Sequence, residues 1–167
     1  MTAPLLPTIA SPADLRRLSA DQLPVLAQEI RDVIIEQVMS SGGHLAPNLG
    51  VVELTMALHR VFNFEHDRLL FDVGHQCYPH KLLTGRADGL PTLRQTGGMS
   101  GFPEPSESPF DLFSVGHAGT AISTAVGMAR GDTLRGEGYN MAKTSQTHKS
   151  CTSLTYTPLV KSRSRNQ

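Results

Sequence analysis

The sequence of 167 residues contains no tryptophan and carries no net charge. With only six phenylalanines and three tyrosines, it predicts a core that is mainly aliphatic. Its two cysteines, Cys77 and Cys151, lie far apart and form no C-x-x-C pair, which argues against a disulfide framework and a structural zinc site. Fifteen basic residues balance fifteen acidic ones, so no overall field favours nucleic acid or an anionic membrane.

Long hydrophobic runs are also missing from the chain. No apolar run approaches the roughly twenty residues that a membrane span needs. Residues 1–10 lack the basic and apolar regions of a signal peptide. We therefore expect a cytoplasmic protein, and the length is that of one domain.

Capping residues and the spacing of apolar side chains predict three helices in the first half of the chain. Ser11 and Pro12 are typical of a helix start. A capping box at residues 19–22 precedes apolar residues at helical spacing as far as Val38. Residues 51–62 predict the third helix, and residues 47–50 between them predict a turn.

The chain carries one short pattern twice, a strand-like run followed by Val-Gly-His. Residues 69–71 predict a buried strand, after which Gly74 permits a sharp turn into His75. Residues 110–115 predict a second strand, followed by Gly116 and His117. Because open α/β sheets bind ligands at the carboxyl ends of their strands, we expect both imidazoles at one edge of an α/β sheet. There they hold a phosphate or transfer protons; the alternative is that each bonds to local backbone.

A helix is predicted over residues 120–130, directly after the second Gly-His pair. The amides and dipole at its N-terminus favour an anion such as a diphosphate. The turn lacks G-x-G-x-x-G and a Walker lysine, so a compact turn without a ligand is equally compatible with this spacing. A short helical turn at residues 78–85 and a Gly- and Pro-rich loop at 86–109 complete the pattern.

The remaining histidines have two interpretations each. His44 follows two glycines at a helix end, where it either reaches a ligand or interacts with the helix dipole. His80 and Lys81 form either a cationic phosphate site or a solvated surface patch, and the surface patch is favoured. His59 is predicted at the surface, and Cys77 is interpreted as a packing residue.

Several motifs resemble those of 1-deoxy-D-xylulose-5-phosphate synthases. They occur in the order and with the spacing of that family, over roughly residues 14–136, at residues 41–45, 48–50, 52–55, 72–76, 78–86, 97–102 and 115–117. The combination of G-H-Q-x-Y-P-H-K with G-G-x-S-G-F separates the chain from transketolase and pyruvate dehydrogenase.

The resemblance implies a transketolase-type transferase that uses thiamine diphosphate and Mg²⁺. It would condense pyruvate with D-glyceraldehyde 3-phosphate to 1-deoxy-D-xylulose 5-phosphate, with release of carbon dioxide, as the first step of the non-mevalonate isoprenoid pathway. It further implies that His75, Gly116, His117 and Ala118 contact thiamine diphosphate and that His44 and His75 are catalytic. Ala118 stands where the family usually has serine.

By the same resemblance, residues 1–136 form the N-terminal part of a thiamine diphosphate-binding domain with a mostly parallel sheet. The Gly-Asp-Gly motif that holds magnesium in the family is absent, and so are the later domains. We therefore expect a fragment that is inactive alone, from a family that forms homodimers. Two alternatives are a non-catalytic phosphate-ligand-binding or interaction remnant of this fold and a metal-dependent hydrolase.

The last part of the chain differs in composition. Residues 137–167 contain ten Ser or Thr, five Lys or Arg and one acidic residue. Such a segment buries too little apolar area to offset its ordering entropy. It predicts a tail of low order, and we interpret it as a non-native segment from a truncated or frame-shifted reading.

Overall fold

The computed structural model describes residues 3–136 and the backbone of residues 141–147 and 151–157. The elements in chain order are α1 (Pro12–Arg17), α2 (Gln22–Ser41), α3 (Leu45–Leu49), α4 (Val52–Val61), β1 (Arg68–Phe71), α5 (Tyr78–Leu83), α6 (Thr120–Arg135), β2 (Met141–Thr147) and β3 (Cys151–Thr157). Short 3-10 helices lie at Leu6–Thr8 and Ala87–Thr92. The second of them occupies the start of the predicted loop at 86–109.

The three helices predicted in the first half are confirmed. Helix α1 begins with a capping box in which the Asp14 carboxylate accepts a hydrogen bond from the Ser11 amide at 2.9 Å. Helix α2 buries one apolar stripe against the rest of the protein, formed by Leu26, Ala27, Ile30, Ile34 and Val38. Helix α4 starts at Val52 and ends one residue before the predicted boundary.

The core lies where α1, α2 and α5 pack around α4. Helix α5 is its centre, because all six of its residues are buried. The predicted strand at residues 69–71 is confirmed as β1, and its apolar side chains Leu69 and Phe71 join the same core cluster. Helix α6 packs on β1 and β2 at the other side of the molecule.

The sheet has the order β1-β2-β3. Strands β1 and β2 are parallel, with Arg68 opposite Met141, whereas β2 and β3 are antiparallel, with Met141 opposite Thr157. One parallel and one antiparallel pairing do not make the mostly parallel sheet that the resemblance implied, so the described strands do not show it.

The second predicted strand, at residues 110–115, is wrong. This segment is a loop in which the Asp111 amide donates to the Ser108 carbonyl at 3.1 Å. The Asp111 side chain is buried and binds Arg86, which holds the backbone in this turn. An apolar run therefore predicted a strand where a buried ion pair fixes a loop.

The predicted turn at residues 47–50 is also corrected, because Leu45–Leu49 forms helix α3. The reason is a tertiary contact: the Asn48 side chain is buried and bonds to the backbone of neighbouring segments. The sequence shows the turn-forming residues but not the partners that hold them in a helix.

The composition of residues 137–167 predicts no regular structure, and the backbone differs from that prediction at β2 and β3. The rest of the predicted tail, residues 137–140, 148–150 and 158–167, lies outside the described residues. In the part of the chain that is described, no helix combines the length and hydropathy required to span a membrane.

Candidate cofactor site

The first Gly-His turn follows the carboxyl end of β1. Gly74 has a φ of +87°, which side chains rarely tolerate. A Cβ atom at Gly74 would lie 2.5 Å from Cδ of Pro103 and 2.7 Å from Cγ2 of Val115. The turn therefore requires glycine, and its close packing places Val115, which precedes the second Gly-His pair, directly against it.

The second turn is held next to the same strand by a hydrogen bond. The backbone amide of Ala121, in the first turn of α6, donates to Oδ1 of Asp72 at 3.3 Å. Together with the contact between Gly74 and Val115, this bond brings the two Gly-His segments side by side at the carboxyl end of β1. His75 is half-buried in this arrangement and His117 is exposed.

His44 joins the first turn from the other side. The rings of His44 and His75 are 5.2 Å apart between centroids, in an edge-to-face arrangement. Asn48 links their backbones, because its Nδ2 donates to the His44 carbonyl at 2.6 Å and to the His75 carbonyl at 2.8 Å. Its Oδ1 accepts from the amide of Tyr78 at 2.8 Å. Our sequence reasoning missed Asn48, since a turn-forming asparagine carries no signal for this role.

The environment of His44 keeps its imidazole neutral. Burial lowers the pKa of His44 below its ordinary value, and the nearby positive charge of Arg94 lowers it further. Its Nδ1 atom is buried and has no hydrogen-bond partner among the described residues. A neutral ring with a buried ring nitrogen and no protein partner is suited to exchange a proton with a bound molecule.

The N-terminus of α6 has the features of an anion site. Its N-cap is Gly119, with a φ of +83°, which has no side chain to cap the helix, and its own first turn holds no acidic residue. Asp72 takes the amide of Ala121, which leaves the preceding amides of the turn for another acceptor. A Cβ at Gly116 or Gly119 would meet no atom within 4 Å. The residues present therefore fit a diphosphate on the open side of a sixteen-residue helix.

Behind the first turn lies a buried polar chain that the sequence placed at the surface. His59 and His80 are both fully buried, so those predictions are wrong. Nε2 of His80 donates to Oδ1 of Asp111 at 2.9 Å, and Nδ1 of His80 lies 2.9 Å from Nε2 of His59. Burial lowers the pKa of both histidines, so both rings are neutral. Nδ1 of His80 then accepts a hydrogen bond from the Nε2–H group of His59. Because Asp111 accepts from Nε2 of His80, it fixes both rings in the tautomer that carries its proton on Nε2.

Lys81 is also buried rather than solvated, and it pairs with Glu107. Arg86 binds Asp111 through two hydrogen bonds of 2.7 and 2.9 Å and reaches Glu107 at 3.3 Å. Burial raises the pKa of Asp111, but the hydrogen bonds from His80 and Arg86 outweigh it and hold that pKa well below its usual range. Asp111 is therefore ionised, and both carboxylates are tied to α5 through His80 and Lys81.

Cys77 packs at the start of α5, as interpreted from the sequence. Its thiol is buried, and that burial raises the pKa of Cys77 to about 12. Among the residues that the structure describes, no group of three or more His, Cys, Asp or Glu side chains is placed to hold a metal ion.

The fold and the site define a mixed α/β protein with a candidate anion-binding edge, formed by two Gly-His turns and a helix N-terminus at the end of one strand. The family model of 1-deoxy-D-xylulose-5-phosphate synthase matches residues 6–144. The chain belongs to that family.

Individual relatives agree with this match. The chain is 61% identical over 133 residues to the 1-deoxy-D-xylulose-5-phosphate synthase of Dechloromonas aromatica, covering 80% of this chain and 22% of the relative. It is 61% identical over 126 residues to that of Thioalkalivibrio sulfidiphilus, covering 75% and 20%. The synthase of Clostridium tetani is 56% identical over 128 residues, covering 77% and 21%. The chain thus spans about a fifth of the length of these curated relatives.

Proposed function

We propose that residues 1–136 are the N-terminal part of the thiamine diphosphate-binding domain of a 1-deoxy-D-xylulose-5-phosphate synthase. The sequence predicted a non-native tail over residues 137–167, but the family match extends to residue 144, so such a tail would begin only after that residue. The full-length enzyme would condense pyruvate with D-glyceraldehyde 3-phosphate and release carbon dioxide, as a cytoplasmic homodimer. The observation that carries the proposal is the family match over residues 6–144, which includes every motif of the candidate site.

The proposal assigns the diphosphate of the cofactor to the edge where the Gly-His turns meet. His75, Gly116, His117 and Ala118 would contact the cofactor, with the diphosphate at the free amides of the α6 N-terminus. The open surface at Gly116 supports this assignment, because a Cβ there would meet no atom of the described residues within 4 Å. Ala118 supplies an amide but no hydroxyl, so at this position only the backbone would donate to the cofactor.

His44 and His75 would supply the protein's own chemistry at this site. Bound thiamine diphosphate supplies the electron sink for decarboxylation, whereas the protein orients the reactants and excludes water. His44 is suited to move a proton because its ring is neutral and Asn48 holds its backbone. Its edge-to-face contact with His75 supports a shared role, in which both rings would face the same reacting position.

Mg²⁺ would be held by residues that this chain lacks, since the family's Gly-Asp-Gly motif is absent from its sequence. We therefore propose that the 167-residue chain is inactive alone and binds thiamine diphosphate weakly, without dependence on Mg²⁺. Pyruvate turnover with D-glyceraldehyde 3-phosphate by the purified chain would refute the first statement, and tight Mg²⁺-dependent binding would refute the second.

Calorimetry with thiamine diphosphate, with and without Mg²⁺, tests the cofactor site. The variant His117→Ala is expected to lose the heat of binding, because it removes a side chain assigned to the cofactor. His66→Ala is the matched control, since His66 is another exposed histidine outside the two turns. Absence of binding to the unmodified chain would overturn the cofactor assignment.

A non-catalytic phosphate-binding remnant is the second candidate, and the exposure of His117 and Gly116 favours it. Competition by inorganic pyrophosphate distinguishes the two. If pyrophosphate displaces thiamine diphosphate at equal concentration, the site recognises only the anion. If thiamine diphosphate binds more tightly, the site also recognises the thiamine part and the cofactor assignment is supported.

A further inference from the structure

Two carboxylates hold the backbone on either side of Phe102. The Ser100 amide donates to Oε1 of Glu107 at 2.6 Å, and the Glu104 amide donates to Oδ2 of Asp111 at 2.7 Å. Residues 100–104, here called the bridge segment, are therefore tied at both ends. We call Glu107 and Asp111 the carboxylate clamp.

The clamp is anchored in the core through its remaining contacts. Lys81 and Arg86 bind Glu107, and Arg86 and His80 bind Asp111. The side chains of His80, Lys81 and Asp111 are fully buried, so each of these groups depends on its partners for solvation. The bridge segment is thus connected through these side chains to α5, which begins three residues after His75.

The bridge segment in turn contacts both sides of the candidate site. The ring of Phe102 lies 6.0 Å from the ring of His44, edge to face. Pro103 lies over Gly74, since a Cβ on that glycine would be 2.5 Å from Cδ of the proline. One tied segment therefore touches the two places from which His44 and His75 project.

We propose that Glu107 and Asp111 are positioning residues of the candidate site, which hold Phe102 against His44 and Pro103 against the turn at Gly74. Neither carboxylate touches His44, so they act through the bridge segment. Their importance for catalysis rests on the proposed function, whereas the positioning itself rests on the contacts alone. Without the clamp, Phe102 would leave His44, and water would reach the imidazole.

Replacing either carboxylate with an amide tests whether its oxygens position the bridge segment, beyond neutralising the cationic partners. A carboxylate offers two acceptor oxygens. Glu107 uses Oε1 for the bridge segment and Oε2 for Lys81 and Arg86. Asp111 uses Oδ2 for both the bridge segment and Arg86, and Oδ1 for His80 and Arg86. An amide offers only one acceptor oxygen. In Glu107→Gln the remaining oxygen is drawn to the buried ammonium of Lys81, so the bridge segment loses its tie at Ser100. In Asp111→Asn the remaining oxygen can face either His80 or the Glu104 amide, so the second tie is weakened.

A second buried ion pair provides the matched control. Arg68 binds Asp132 through two hydrogen bonds of 3.0 and 3.1 Å, which join β1 to α6. The Asp132 side chain is only 5% exposed, so Asp132→Asn also removes one acceptor oxygen from a buried bidentate pair. This pair lies outside the contacts of the bridge segment, so its loss is expected to leave the contact between His44 and Phe102 in place.

The experiment is proton NMR on the full 167-residue chain and its three variants, below their unfolding temperatures. Glu107→Gln is expected to lose the cross-peak between the ring protons of His44 and Phe102. Asp111→Asn is expected to weaken it, and Asp132→Asn is expected to retain it. Retention of the cross-peak in folded Glu107→Gln would overturn the proposal, and so would its loss in Asp132→Asn. Glu107 is 20% exposed, so Glu107→Gln decides the matter if Asp111→Asn does not fold.

Thiamine diphosphate calorimetry on the same samples separates the two proposals. Loss of the cross-peak in a chain that binds no thiamine diphosphate would support the positioning role and refute the proposed function. An unchanged cross-peak in a chain that binds thiamine diphosphate would refute the positioning role and leave the proposed function standing.

Discussion

Helices α5 and α6 each follow a Val-Gly-His segment, yet they have opposite environments. All six residues of α5 are buried, including His80 and Lys81. Of the sixteen residues of α6, only Ala121 and Asp132 are buried, and Val126 on its outer face is 64% exposed. The same local pattern therefore produces a core element in one place and a surface element in the other.

The difference originates in what surrounds each glycine. Gly74 is enclosed by Pro103 and Val115, whereas Gly116 has open space around it. The conformation of the first Gly-His turn is therefore determined by side chains packed against Gly74 within residues 3–136. The second depends on two polar links, the bond between Asp72 and Ala121 and the pair of Arg68 with Asp132. The region of α5 should therefore respond strongly to substitution and the region of α6 weakly.

The largest contrast is expected between the two buried aspartates. Asp111→Ala leaves Arg86 and His80 without their carboxylate in a fully buried position, and we expect a loss of about 3–5 kcal/mol in the free energy of unfolding. Asp132→Ala should cost less, because its partner Arg68 is 20% exposed and can be solvated. Urea unfolding followed by circular dichroism measures both, and equal losses would contradict the comparison.

A cavity in α5 gives the next largest effect. Leu82 is completely buried in the core cluster, so Leu82→Ala removes packed methyl groups that the surroundings only partly replace. We expect the free energy of unfolding to fall by about 2–5 kcal/mol. A loss below about 1 kcal/mol in urea unfolding would show that α5 is not packed as the structure has it.

Acid should destabilise the buried region through its histidines. Burial lowers the pKa values of His59 and His80 in the folded protein, so the unfolded chain binds protons more readily. Stability is therefore greatest above the unfolded pKa of about 6.5 and falls as the pH decreases below it, by up to about 1.4 kcal/mol per pH unit for each proton.

The pKa of Asp111 is also depressed, so its contribution is lost in a second, more acidic range below about pH 4. Urea midpoints across this pH series test both ranges. His59→Phe should reduce the slope just below neutrality, and an unchanged slope would assign the acid effect to other groups.

The smallest effect is expected on the outer face of α6. Val126→Ala shortens a side chain that is already mostly in water, so stability should change by no more than about 0.5 kcal/mol. Thermal unfolding compares it with Leu82→Ala. A loss as large as that of Leu82→Ala would mean that this face is covered in the protein in solution.

Local signals in the sequence predicted much of this architecture. Helices α1, α2 and α4 follow from capping residues and apolar spacing, and β1 from a short apolar run before Gly74. The proximity of the two Gly-His segments was also predicted, although for a partly wrong reason. It results from β1, a loop and α6 rather than from two adjacent strands.

Long-range polar contacts account for what the sequence did not predict. His80 and Lys81 look like surface residues because their partner carboxylates, Asp111 and Glu107, lie more than twenty residues away. His59 does so because its partner is His80, 21 residues along the chain. Asn48 looks like a turn residue because its partners are backbone atoms of other segments. No local pattern records such pairings.

The amino-acid sequence by itself determined the helical framework, the tight turn at Gly74 and the membership of the family, because capping, apolar periodicity and motif order are properties of neighbouring residues. Only the tertiary structure decided which polar side chains are buried, that 110–115 is a loop, and that Phe102 lies against His44. Those outcomes depend on desolvating charged groups, and that is favourable only where partners from distant parts of the chain meet.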